Sequence, residues 1–574
     1  MTDKSPLSAE ASATALLALA QAGGPSAGLA AKRAAWLAER IDPELSKRAL
    51  RVAIQLEPLD HGPKLALTRL LAEQGDLEGA RSQALLVLAE AVDQAARARA
   101  AFILAELERV QGDRALARKH YTQVLQIEDA ILTHARDDAT AARWYARARG
   151  RIAELDASEG ERVRAKTGAE GALALLRATA ASIGEPPVLA ADIADAELRL
   201  GALELDENQP ASARRRFDEA IGRYEALAIT EKNEPHWRAV LADAWALAAE
   251  ADYVRGAHDK ARAAMDKALQ ARIRLAARHN EEAWALAGTW RLRGSLCTAL
   301  GDHDAAAESF IQARAIAEHL ALHANGAEAP NRFLTHTLLD QADQALNRGN
   351  LNLAREAADT ARAHAEAFAR TGGASVIWLT DVAASWDRLG EVARLAKSHI
   401  QAQEAFARAV EFRRMALDRE PDSLQFRRGL AAALVKLGEG ALEAGAHVGA
   451  RTAFQESAGI RLSLFEQAPD DPSAAQALAV ALERLGLASQ ALGDPDTARA
   501  AWEEELALTE RIFGHEETIE SVRFSAIVEA HLAGVGGLNA EAYRRSSLAR
   551  FDDLAKAGAL TEREAALRKK LWSH

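Results

Sequence analysis

His319 and His323 stand four residues apart and are the nearest the sequence comes to a metal-binding pair. On a helix that spacing puts both rings on one face, but a zinc site needs further ligands and no third one is evident. The pair therefore reads as solvated. Cys297 is the single cysteine, which excludes an internal disulfide, and it is expected as a small buried apolar side chain. Gly534-Val535-Gly536-Gly537 has the glycine content of a phosphate cradle. It lacks a following Lys-Ser, so a helix stop is the simpler reading. No GxxxxGK[ST] loop, no GxGxxG after a strand, and no GxSxG, HExxH or CxxC occurs. These residues assemble no catalytic, metal or cofactor site, and the chain is expected to be neither an enzyme nor a cofactor carrier.

The elements that position such residues follow from composition and spacing. The chain has 574 residues, of which 49% are hydrophobic and only 5% aromatic. The apolar share leans on alanine, the strongest helix former. With 14 prolines and little strand-type alternation, an all-α chain is expected. A net charge of −12 argues against a broad phosphate-binding surface, hence against a nucleic-acid partner, and leaves room for a local basic patch. Residues Ala11 to Ala31 carry no charge, but Asp3 and Glu10 spoil a basic leader and Gly23-Gly24-Pro25 breaks the apolar stretch. An uncleaved cytoplasmic chain without a membrane span is expected, with export through this segment as the lesser alternative.

Self-comparison exposes a repeat. A junction residue recurs at Gly75, Gly112, Gly160, Asn208, Gly256, Gly301, Gly349, Lys397, Gly445 and Gly493, and each is followed five residues later by Ala. The steps are 37, then 48 three times, then 45, then 48 four times. Nine residues after the junction stand Tyr121, Phe217, Met265, Phe310, Phe406, Phe454 and Trp502; seven before it stand Gly201, Gly294, Gly390, Gly438 and Gly486. Small residues are needed where paired helices cross, the aromatic fills the gap beside them, and the junction glycine ends the first helix in a left-handed cap. Trp237, Trp378 and Phe426 recur further upstream and are expected as packing between repeats.

In this pattern each unit resembles a tetratricopeptide repeat (TPR), most clearly at Trp386-Asp387-Arg388-Leu389-Gly390 and Leu482-Glu483-Arg484-Leu485-Gly486. The first unit also has the usual ending, Ala53-Ile54-Gln55-Leu56-Glu57-Pro58. The resemblance implies a tetratricopeptide-type α-solenoid of antiparallel helix pairs over residues 41–537, in about ten units. The usual unit has about 34 residues, so the longer one here predicts about two extra turns per helix. Such long units resemble those of bacterial regulatory and defence proteins. Residues 1–40 are expected as a cap or partly disordered lead, and Thr518 to Ala533 as a terminal helix. Residues 538–574 resemble the short C-terminal SHOCT hairpin, with Thr561 and Glu564 placed as a capping box. That resemblance implies assembly, including self-association, or partner recruitment; an ordinary helical hairpin is the alternative.

In tetratricopeptide arrays the first helices line the concave face. Positions thirteen, ten, six and three before each junction would then carry the partner-binding residues: Arg109, Asp243, Glu250, Tyr253, Arg291, His336, Asp343, Asp387, Glu391, Arg394, Glu439 and Glu483. The set tilts acidic and suits a protein or peptide segment of basic or amphipathic character. The alternative is that these residues are merely solvated, with Arg151–Glu154, Arg388–Glu391 and Lys436–Glu439 pairing along single helices. The function implied is a non-catalytic protein-binding scaffold or adaptor; a regulatory subunit of a separately encoded protease or NTPase is the alternative.

Overall fold

The computed structural model describes residues 6–39, 41–231, 234–279, 282–324, 326–371, 375–469, 471–514 and 517–572, so Asp3 lies outside the described residues. Among them the chain is helical throughout, with no strand. It divides into two compact units, Met1–Asn280 and Glu281–His574. In the first unit α1 (Pro6–Ala22), α2 (Ala27–Ala38) and α3 (Pro43–Leu56) lead into the repeats. These are α4 (His61–Glu73) with α5 (Leu77–Glu90), α6 (Gln94–Gln111) with α7 (Arg114–His134), α8 (Ala139–Ser158) with α9 (Arg162–Ile183), α10 (Pro187–Asp206) with α11 (Pro210–Thr230), and α12 (Pro235–Val254) with α13 (His258–Ala276). The second unit holds α14 (Ala283–Ala299) with α15 (His303–Leu322), α16 (Glu328–Asn347) with α17 (Leu351–Ala369), α18 (Ile377–Leu395) with α19 (His399–Arg419), α20 (Leu424–Glu443) with α21 (His447–Gln467), and α22 (Pro472–Ala491) with α23 (Pro495–Ala507). After them come the short α24 (Thr509–Phe513), then α25 (Ile519–Val535), α26 (Ala540–Lys556) and α27 (Glu562–Trp572). Each unit is an α-solenoid of the tetratricopeptide type, with long helices such as α7 with 21 residues and α9 with 22 in the first and α19 with 21 in the second.

Each junction turns the chain in the same way. All ten junction residues have positive φ, from 58° at Asn208 to 89° at Gly112. Asn208 and Lys397 are the only non-glycine residues with positive φ among the described ones, and both stand where the other repeats have glycine. The N–H after each junction residue donates to the carbonyl five residues earlier, at 2.8–3.0 Å, which closes a Schellman cap. Where that next residue is Asp or Asn, its side chain caps the second helix, as Asp113 does on the Leu116 N–H at 2.9 Å. The Gly-Asp pair thus ends one helix and starts the next.

The small residue before the junction is set by the ring after it. A β-carbon on Gly201, Gly390 or Gly438 would stand 2.5 Å from Phe217, Phe406 or Phe454, and on Gly294 it would stand 2.8 Å from Phe310. Gly486 is in the same position against Trp502. At the other five crossings the earlier residue is Thr68, Ala105, Ala153, Ala249 or Ala342, opposite Ala84, Tyr121, Ala169, Met265 and Ala358. Glycine therefore occurs where a Phe or Trp must lie flat on the backbone. Tyr121, opposite alanine, is the exception; it leans edge-on against Phe102 with its hydroxyl on Glu106. Trp378 is fully buried and stacks on Phe368 at 4.6 Å, and Phe426 is buried beside Leu379 and Ala416, so both pack between helices as expected. Trp237 is partly buried, its Nε1 donating to Glu231 at 2.8 Å.

Both ends are packed. In the lead, Ala13, Leu17 and Ala20 of α1 and Ala31, Ala34 and Ala38 of α2 are buried. At the other end Thr518 caps α25 through a capping box with Ser521, and Gly536 and Gly537 stop that helix. The tail folds back on α25: Phe551 and Leu554 of α26 are buried against Ala526 and Ala530. Ser547 donates to the Ala526 carbonyl at 2.7 Å, and Arg523 of α25 reaches Glu564 at 2.8 Å. Thr561 and Glu564 exchange the two hydrogen bonds of a capping box, at 2.8 and 3.3 Å.

Candidate functional site

The charged residues of the first-helix face are largely occupied by one another. Four arginines, each nine residues before its junction, reach back 45 residues to a carboxylate six before the preceding junction. Arg151 binds Glu106 at 2.9 Å and Arg199 binds Glu154 at 2.8 Å. Arg388 takes Asp343 with two bonds, of 3.0 and 2.7 Å, and Arg484 takes Glu439 at 3.1 Å. In a second set of rungs one aspartate takes two partners, 49 and 45 residues earlier: Arg143 and Arg147 hold Asp192, and Arg332 and His336 hold Asp381. Both aspartates are buried. Burial alone would raise the Asp381 pKa, but the hydrogen bonds from His336 and Arg332 outweigh it and hold the carboxyl below its ordinary value.

The residues expected to meet a partner fall into place accordingly. Asp343 and Glu439 are rungs. Arg291 pairs with Asp340 at 2.5 Å and lies 5.5 Å from the Phe333 ring centre. His336 shares Asp381 with Arg332 at 3.1 Å. Arg109 pairs with Glu106 at 2.9 Å, and Glu391 with Arg394 at 2.8 Å. Asp243 binds the buried Arg272. Tyr253 stacks on His258 at 5.9 Å, Glu250 is exposed, and Glu483 lies 3.9 Å from Arg484. Asp387 differs: it is 3% exposed, held by Arg413 at 2.6 Å, and is part of the helix-pair interior. Of the three pairs expected along single helices, Arg151–Glu154 forms at 2.9 Å, whereas Arg388 turns to Asp343 and Lys436 lies 4.0 Å from Asp387. The missed partners lie one repeat away, at spacings the sequence carries but a search along one helix does not cover.

The same face holds a feature that a choice of charged residues passes over. Between α4, α6 and α8 runs a trough of about 570 Å³ with a floor of Leu65, Leu77, Phe102, Ile103, Val110 and Trp144. Phe102 meets Trp144 edge-on at 5.2 Å. Arg69, Glu73, Arg99 and Glu106 edge it with both signs of charge. Arg99, Phe102 and Glu106 occupy positions thirteen, ten and six before Gly112, the positions that mark this face. A second hollow of about 330 Å³ shares Ala66 and Arg69 with the trough and carries the exposed Trp36. Apolar surface in a concavity with a polar rim is what binding sites are made of.

The other candidates are quiet. The His319 and His323 rings lie 4.3 Å apart, and among the described residues no group of three or more His, Cys, Asp or Glu gathers as metal ligands. Cys297 is buried beside Phe310. No described helix is long and apolar enough to cross a membrane.

No protein-family model matches the sequence, and no curated protein matches it. Among solved structures, BtubC (BKLC) from P. vanneervenii is 18% identical and covers 46% of this chain and 94% of its own, with a TM-score of 0.37. Yeast Tom70 is 14% identical, covering 88% and 95%, with a TM-score of 0.38. The apo form of RapI is 13% identical, covering 70% and 98%, with a TM-score of 0.43.

Proposed function

We propose that the chain is a non-catalytic protein-binding scaffold or adaptor whose first-helix face takes a partner segment, with the trough between α4, α6 and α8 as its principal seat. The observation that carries this reading is the apolar floor of Leu65, Phe102, Ile103, Val110 and Trp144, open on a face whose charges are otherwise engaged. An amphipathic helix or strand fits it: apolar side chains enter the trough and polar ones meet Arg69, Arg99, Glu73 and Glu106. Because Asp243, Asp343, Glu391 and Glu439 are matched by arginines of the chain itself, the amphipathic character of the partner counts for more than a basic charge. Tyr253 and Glu250 extend the candidate contact surface along α12 of the same unit, and Arg291 is a separate candidate contact on α14 of the second unit, whereas Asp387 is a structural residue. The tail buries its apolar residues on α25 and acts first as a terminal cap, with the exposed Trp572, Arg563 and Lys569 as the surface for any recruitment or self-association.

The test is quantitative capture from native lysate by the wild-type chain, by Phe102→Asp, and by a chain ending at Gly537, with circular dichroism to establish that each is folded. A partner lost with Phe102→Asp and kept by the shortened chain supports the trough. A partner kept by Phe102→Asp and lost on shortening places recognition in the tail and overturns this reading.

A further inference from the structure

One arginine of the second unit lacks the acid that its counterparts have. Sixteen residues after the junction, several second helices carry a polar side chain that crosses to the first helix of its own pair. Tyr224 donates to Asp195 and Arg272 to Asp243, each 29 residues earlier; Arg413 pairs with Asp387, 26 residues earlier. Arg461 holds the same position after Gly445, but the residues 29 and 26 before it are Ala432 and Val435. Among the described residues its side-chain hydrogen bond goes to the Ala477 carbonyl, in the first helix of the next repeat. Burial pulls its pKa down, with no acid to oppose that.

This guanidinium lines a cavity of about 250 Å³ between α20, α21 and α22, and Arg428 lines it from the opposite helix. Among the described residues no carboxylate lies within ion-pair distance of either arginine. Asp471 also borders the cavity, but its Oδ1 is taken by the Ser473 N–H, at 2.9 Å, as the N-cap of α22. Two arginines against one engaged carboxylate leave the cavity with a net positive charge. Leu464, Ser473 and Ala477 also line it. Arg461 is part-buried and Arg428 is exposed, so an oxyanion can reach both guanidinium groups and balance their charge.

We infer that this cavity is a phosphate-binding site, in which Arg461 and Arg428 hold the oxygens of a phosphoryl group in the place of the missing carboxylate. Guanidinium favours such oxyanions because its N–H groups match them in pairs. The site goes beyond the protein-binding reading: it lies in the second unit and does not depend on the trough. The phosphoryl group comes either as free phosphate or on a phosphorylated serine side chain.

The full chain is titrated calorimetrically, at fixed ionic strength, with inorganic phosphate, O-phosphoserine and acetate. One saturable site is expected for phosphate or phosphoserine, and the tighter of the two identifies the source. Arg461→Gln should weaken it about tenfold or more, roughly 1.4 kcal/mol. Ala432→Asp returns the acid found in two other repeats; it should abolish binding while leaving the chain folded, which separates loss of the site from loss of the fold. Absence of a saturable site, equal binding of acetate, or unchanged binding in the folded Ala432→Asp chain would overturn the assignment.

Discussion

Phe406 lies so close to Gly390 that a β-carbon on the glycine would stand 2.5 Å from the ring. One added methyl therefore has to move a buried aromatic side chain or the backbone of a helix crossing. Gly390→Ala gains about 1 kcal/mol of helix propensity and loses more by overpacking, which costs about 1–3 kcal/mol. A net loss is expected in denaturant unfolding, and Phe406→Leu in the same chain should recover part of it. Gly459→Ala is the control: that helical position has open space around it, and the change should stabilise by about 0.5–1 kcal/mol.

Lys397 adopts φ 59° where most repeats have glycine. An L-residue in this left-handed region carries a steric cost of about 1–2 kcal/mol, partly offset by the entropy glycine loses on folding. Lys397→Gly should raise the thermal midpoint, and Asn208→Gly less, because asparagine tolerates that conformation better. Gly349→Ala, the reverse change, should lower it.

The buried Asp387 pairs with the part-buried Arg413 at 2.6 Å. Removing one partner from such a pair costs about 3 kcal/mol or more, because it strands the other charge. Asp387→Ala should therefore lower the unfolding midpoint sharply, while Glu250→Ala, on the exposed side of α12, should leave it unchanged. Equal effects in thermal unfolding would contradict the placement of Asp387 inside the helix pair.

Glu505 lies buried on α23, and burial, reinforced by the nearby Glu483 charge, pushes its pKa up to about 9. A carboxyl with a raised folded-state pKa gives stability that is fully present below its unfolded value, near 4.5, and is lost progressively as pH rises toward 9. Glu505→Gln removes that loss. The variant should gain on the wild type, on the order of 2 kcal/mol by pH 8, and little at pH 4. Urea unfolding at the two pH values checks the sign, and a gain confined to acid would contradict it.

The repeat was legible because the junction and crossing columns are imposed by local geometry, and local geometry leaves the same residue types at the same spacing. Gly112, Gly301 and Gly493 mark left-handed turns, and Gly438 marks the seat of Phe454. The placing of surface charge was less legible, because Arg388 has possible partners on its own helix and on the preceding repeat. Reach and direction, rather than spacing along one helix, send it to Asp343. Phe102 stands at one of the positions assigned to the first-helix face, but an apolar residue there looks like core in sequence. Its role as trough floor emerges only once Trp144, from the next repeat, stands beside it.

The most direct test of the scaffold reading is hydrogen exchange on the chain with and without a partner captured from lysate. New protection is expected in α4, α6 and α8, around Leu65, Phe102 and Trp144, with little change in α25 to α27. Protection confined to the tail, or absent from those three first helices, would contradict it.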